Sequence, residues 1–149
     1  MKVKSLAFFL GFIVSILSIC SVLAAGKEGS PEEPMDSLVI AMSTDNVAIF
    51  DAAITIGTVA LKRGHPVTML LRVNSIKVAV AKNSYPVNDT TLSEKLSAFM
   101  KSGATVIAGG SCMKEMGLVQ RDLIEGVIVG TPDLVMATLF KKDSKILSY

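Results

Sequence analysis

Residues 104–117 read ATVIAGGSCMKEMG, and their order decides the fold. Residues 104–109 are apolar or small with no polar alternation, which marks a strand covered on both faces, the habit of parallel sheets. The strand runs into Gly109-Gly110-Ser111-Cys112, and residues 113–116 then fill one helical turn that stops at Gly117. A strand that passes straight into a helix start is the recurring joint of open α/β sheets.

Working outward, runs of similar character occupy residues 37–43 (SLVIAMS), 66–71 (PVTMLL), 126–129 (GVIV) and 144–149 (SKILSY), giving five expected strands. The segments between them carry helical periodicity. Residues 46–63 are apolar nearly all round except Asp51, Thr55, Thr58 and Lys62, whose spacing of four, three and four lays them along one stripe before Gly64 stops the helix. Thr91 with Glu94 forms a capping box for a helix whose Leu92, Leu96, Phe99 and Met100 share a face, closed by Gly103. Thr131 and Pro132 open a last helix expected to end in Lys141 and Lys142, where cations suit the dipole. Strands alternating with helices predict a doubly wound α/β fold with a mainly parallel five-stranded sheet.

The chain of 149 residues is half hydrophobic, enough for the core of one domain, expected over residues 37–149. Ahead of it, Lys2 and Lys4 lead a run from Leu6 to Leu23 without a charge, closing on Ala24, Ala25 and Gly26. Residues 1–25 therefore read as a signal peptide or, if retained, an N-terminal membrane anchor, and either places the domain outside the cytoplasm, as in a periplasm. Bulky Ile19 before Cys20 argues against lipid attachment there. Residues 26–36 (GKEGSPEEPMD) read as a flexible linker. Loss of residues 1–25 removes two lysines from a chain of net charge +2 and leaves a balance of charges, so nothing favours nucleic acid as a partner. It also removes Cys20, leaving Cys112 without an intramolecular partner. The narrow polar stripe of residues 46–63 leaves more apolar surface than one sheet face can cover. Homo-oligomerisation would bury it, unless residues 73–86 fold over it.

Ligands of open parallel sheets gather beyond the carboxyl ends of the strands, where Cys112 falls. Three effects favour its thiolate: the start of a helical turn, backbone donors left open by Gly109 and Gly110, and the cation of Lys114. Ser111 and Met113 flank it as supporting residues. The plainer alternative is a small buried hydrophobe. Met113 and Met116 would suit Cu(I), but methionines mostly fill cores, and neither a metal nor a cofactor is expected. His65, the sole histidine, sits in a turn far from the strand carboxyl ends, Asp45 and Asn46 read as helix caps, and Asn88-Asp89-Thr90 fits a glycosylation triplet. Ser43-Thr44-Asp45-Asn46 offers no glycine-rich phosphate cradle.

The stretch GATVIAGGSCMKEMGLVQRDL (residues 103–123), with Ile124, Glu125, Gly126 and Val127 after it, resembles the signature of the DsrE/DsrF-like family. Ser43-Thr44-Asp45, Gly64-His65-Pro66-Val67 and Ile146-Leu147-Ser148-Tyr149 extend the resemblance over nearly all of residues 37–149. It implies a three-layer α/β/α fold, trimers or hexamers, and a role in sulfur metabolism. By the same resemblance Cys112 accepts sulfur as a persulfide from a donor protein or small thiol and passes it to an acceptor. Many relatives carry a second cysteine three positions earlier, where this chain has Gly109, so dithiol cycling is not expected. Two other readings remain: an oligomeric scaffold or interaction module without chemistry, and a thiol peroxidase or reductase needing an external resolving thiol.

Overall fold

The computed structural model describes residues 35–149; the leader expected at residues 1–25 and the linker as far as residue 34 lie outside the described residues. The chain runs β1 (Ser37–Met42), α1 (Val47–Lys62), β2 (Val67–Leu71), a 3₁₀ turn (Val73–Ala79), β3 (Pro86–Val87), β4 (Thr90–Thr91) and α2 (Leu92–Lys101). It continues through β5 (Thr105–Gly109), α3 (Gly110–Glu115), a second 3₁₀ turn (Gln120–Asp122), β6 (Ile128–Gly130), α4 (Pro132–Leu139) and β7 (Ser144–Ser148). The main sheet has the order β6-β5-β2-β1-β7 with every neighbouring pair parallel, and β3 with β4 forms a small antiparallel hairpin. All five strands expected from the sequence are the five strands of the main sheet.

Local chemistry sets the helix ends. The Asn46 side chain accepts a hydrogen bond from the Ile49 amide at 3.1 Å, and Gly64 leaves α1 at a φ of +88°, a conformation that side chains resist. The Thr91 hydroxyl accepts from the Glu94 amide at 3.3 Å while the Glu94 carboxylate accepts from the Thr91 amide at 2.9 Å, completing the capping box. Thr131 caps α4, with Pro132 in its first turn. Two boundaries differ from expectation. The helix α4 stops at Leu139, ahead of Lys141 and Lys142, and Asp143 turns the chain at a φ of +58°. Strand β6 begins only at Ile128, because Gly126 sits in a turn at a φ of +93°.

The order of the strands makes the two faces of the sheet unequal. The chain steps in one direction from β1 to β2, β5 and β6, so right-handed crossovers put α1, α2 and α3 on one face. The return from β6 to β7 puts α4 on the other. The first face holds the main core, in which Ile40, Met42, Met69, Leu71, Val106 and Ala108 pack against Phe50, Ile54, Leu96 and Phe99. On the second face Val39, Ala41, Leu70 and Ile107 are buried, and among the described residues the helix on that side is the short α4, which buries none of its own residues. Three layers follow, one of them thin.

The stripe of α1 expected to face water is instead in part a seam. Asp51 pairs with Lys95 of α2 at 2.5 Å, and the hairpin strand β3 packs on α1 beside it. The 3₁₀ turn of Val73–Ala79 packs on α2, α3 and β5. Ile49, Ile56 and Val59 of α1 remain exposed on another side.

At the amino-terminal rim of the sheet the chain is fastened before β1 begins. The Asp36 carboxylate pairs with Lys145 at 3.3 Å, the Asp36 carbonyl is 2.9 Å from Nδ1 of His65, and Met35 lies over Gly64. Each strand therefore runs from this rim toward the opposite one, beyond which Cys112 lies.

Candidate functional site

Cys112 is placed by three consecutive constraints. The backbone of Gly109 ends β5 in register with Gly130 of β6 and serves as the N-terminal cap of α3. Gly110 then passes so close to β6 that a Cβ there would lie 2.7 Å from the Gly130 carbonyl oxygen, which leaves room for no other residue without displacement. Cys112 is the third residue of the helix so begun. Its sulfur leans back over the strand ends, since a Cβ on Gly109 would lie 3.9 Å from Sγ of Cys112 and 3.4 Å from the Leu71 carbonyl oxygen. The side chain is half-buried against the edge of the core and carries no disulfide.

The floor beneath this rim is tied by Ser75, which is fully buried. Its hydroxyl accepts from the Arg72 amide at 2.8 Å and lies within donating distance of the carbonyls of Met42 (2.8 Å) and Arg72 (2.7 Å), joining the ends of β1 and β2. Along the same rim, Tyr85 donates to the Asp45 carboxylate at 3.3 Å and Lys77 approaches it at 3.9 Å. Burial first, then the charge and hydrogen bond of Asp45, hold the Tyr85 phenol above its ordinary range. Asp45 thus acts as a side-chain anchor as well as preceding the Asn46 cap.

Of the residues chosen from the sequence, Gly109, Gly110 and Ser111 stay with Cys112 around the first turn, Ser111 exposed. Met113 is buried in the core beneath the turn. Lys114 lies two residues on, nearly the opposite side of a helix from Cys112. It lines a groove of about 530 Å³ shared with Gly110, Leu118, Val119 and Val129. This groove therefore flanks the thiol's helix rather than enclosing the thiol. His65 precedes β2 at the amino-terminal rim, so the imidazole and the thiol stand at opposite edges of the sheet. Among the described residues no group of three or more His, Cys, Asp or Glu could hold a metal ion, and no helix is long and apolar enough to cross a membrane.

Sequence reasoning passed over Ser75, Lys77 and Tyr85. Their positions come from a 3₁₀ turn and an irregular segment with no periodic signal. The one available hint was Tyr85 before Pro86, a pairing that favours extended backbone.

The thiol can act as a lone nucleophile approached from the carboxyl rim. The geometry supplies one sulfur, backbone amides at a helix start, and no histidine on its side of the sheet.

Comparison with known proteins agrees with this architecture. The DsrE/DsrF-like family matches residues 36–146. No curated protein matches the chain. Among solved structures, the ychN protein from E. coli superposes with a TM-score of 0.66 at 14% identity, over 77% of this chain and 100% of that one. A protein of unknown function from Methanobacterium thermoautotrophicum superposes at 0.63 and 14% identity, covering 76% of this chain and 99% of that one. A conserved protein of unknown function from Bacteroides thetaiotaomicron does so at 0.61 and 25% identity, covering 76% and 95%.

Proposed function

Because the chain belongs to the DsrE/DsrF-like family, which is linked to sulfur relay, we propose that it is a sulfur carrier that holds sulfur as a persulfide on Cys112. The supporting observation is the placement of that thiol: half-buried, beyond the carboxyl ends of β2 and β5, on a helix start that Gly110 fits against β6. The Cys112 thiolate attacks the terminal sulfur of a donor persulfide. The donor's S–S bond breaks, the donor leaves as a thiolate, and a Cys112 persulfide forms. An acceptor thiolate then attacks the terminal sulfur and Cys112 is released as a thiolate. The sulfane sulfur keeps its oxidation state throughout, so neither an oxidant nor a second cysteine is needed. Donor and acceptor are proteins or small thiols. The reading includes export through residues 1–25, with membrane attachment only if that segment is retained, and assembly into homo-oligomers.

Incubation with a persulfide donor followed by intact-mass measurement tests the carrier reading. The wild type should gain one sulfur atom and Cys112→Ser none. No gain on the wild type, or equal gain on both, removes it. The partial packing of Cys112 against the core favours one competing reading, a scaffold of the same fold without chemistry. That reading predicts alkylation of the folded chain far slower than of the unfolded chain, and no sulfur uptake.

A further inference from the structure

The thin side of the sheet has a surface that nothing in the thiol chemistry uses. The exposed side of α4 carries Leu134, Met136 and Phe140, the last 81% exposed. Strand pairing extends this patch to both edges. Ile146 of β7 is in register with Val39 and Ile128 of β6 with Ile107, so both point to the α4 side, and both are about as exposed as Met136. Single exposed apolar residues are ordinary, but five large ones sharing one face mark a contact surface.

The charges on α4 say what fits it. Asp133 lies in the first turn and Lys141 just beyond the last, and neither forms an ion pair among the described residues. Between them, Ala137 lies on the exposed side and is small enough to let a second backbone approach. Turned end for end about Ala137, the helix meets its own complement: position 133 falls opposite 141, and 134 opposite 140. Asp133 then faces Lys141 of the second copy, and Leu134 faces the ring of Phe140.

We infer that α4 forms a two-fold contact with α4 of a second copy of this chain, antiparallel, with Ala137 at the axis. This rests on the homo-oligomer reading and not on the sulfur chemistry. An isologous contact of this kind makes a dimer by itself, and it joins two trimers into a hexamer if a three-fold contact exists elsewhere. Ile128 and Ile146 widen the contact toward the roughly 800 Å² per partner of a stable interface, which one short helix would not reach.

The mass of the purified full chain in solution, followed over a range of concentrations, tests the inference. Phe140→Asp should lower the assembly state while its melting temperature, measured at a concentration where both proteins are dissociated, stays near the wild type, because the ring is exposed in the single chain. Asp133→Lys sets like charges opposite each other twice across the axis and should weaken self-association roughly tenfold. The exchange Asp133→Lys with Lys141→Asp restores opposite charges and should recover most of that loss. In a background with both Cys20→Ser and Cys112→Ser, Ala137→Cys should form a disulfide-linked dimer on mild oxidation. A wild type that stays monomeric at every concentration overturns both this contact and the homo-oligomer reading, leaving the carrier reading intact. An assembly that survives Phe140→Asp but is broken by Ile56→Asp overturns the α4 contact alone and moves the interface to α1. Failure of the charge exchange to rescue, together with no cross-link through residue 137, overturns the antiparallel register.

Discussion

Replacing Gly110 by alanine tests the account of how the thiol is positioned. The new methyl carbon would lie 2.7 Å from the Gly130 carbonyl oxygen and 3.4 Å from Cγ1 of Val129. The first contact is shorter than such atoms tolerate, and the oxygen belongs to backbone rather than to a side chain that can swing away. Gly130 cannot retreat cheaply either: it is buried, and a Cβ on it would meet Cγ2 of Ile107 at 2.7 Å. Two effects oppose each other. Alanine is favoured over glycine in a helix by about 1 kcal/mol, and less in a first turn, whereas overpacking costs about 1–3 kcal/mol. With a rigid neighbour the cost falls at the upper end, leaving a net loss of about 2 kcal/mol. For a domain of this size that lowers the melting temperature by roughly 5–12 °C. Relief of the clash must move the start of α3 away from β6, so the rate of Cys112 alkylation should change as well. Thermal melts followed by circular dichroism, with iodoacetamide kinetics on the folded protein, give both readouts. Gly117→Ala is the control: no atom lies within 4 Å of its Cβ, but its φ of +68° makes alanine strained, so it should lose stability without altering alkylation. A Gly110→Ala protein that melts at or above the wild type, with unchanged alkylation, would refute the close-approach explanation.

Gly109→Cys should form an intramolecular disulfide with Cys112 under mild oxidation, since the new Cβ would stand 3.9 Å from the existing sulfur and a small side-chain rotation closes the bond; two free thiols after oxidation would count against this geometry. Ser75→Ala should cost about 1 kcal/mol in urea unfolding, because it removes the buried hydroxyl's bonds to Arg72 and Met42 while the Arg72 amide keeps its own 2.9 Å bond to the Met42 carbonyl. Hydrogen bonds from the Thr90 hydroxyl, then the Thr91 amide and hydroxyl, hold the Glu94 carboxyl below its usual range. The unfolded chain therefore takes up a proton there first as pH falls. Stability from this cap is complete above the unfolded carboxylate range and is lost as pH drops through the folded value. Glu94→Gln should flatten that acid limb, and an unchanged limb would show that the cap does not contribute to it.

The strands and helix caps were legible because their causes are local. Val39 to Met42, or Val106 to Ala108, announce buried strands through unbroken apolar runs, and Asn46, Thr91 and Thr131 carry their capping oxygens in place. What escaped depends on partners far away in the chain. The stripe from Asp51 to Lys62 reads as a wet face until Lys95, 44 positions later, turns out to be its neighbour. The sequence places Lys114 beside Cys112 as a cation, and only the helix shows it lining the groove behind. The apolar excess assigned to α1 is partly met by α2 and β3, while the face left thinnest belongs to α4, whose short amphipathic segment gave no such warning.

The fastening of Asp36 to Lys145 and His65 fixes a polarity as well as an end. Because β1 leads from that fastening directly toward the opposite edge, whatever precedes Met35 joins the domain about 20 Å behind the sulfur, the length of six extended residues. Held by that end, the domain keeps its cysteine on the edge remote from the attachment. Incoming donors could reach it without passing the attachment.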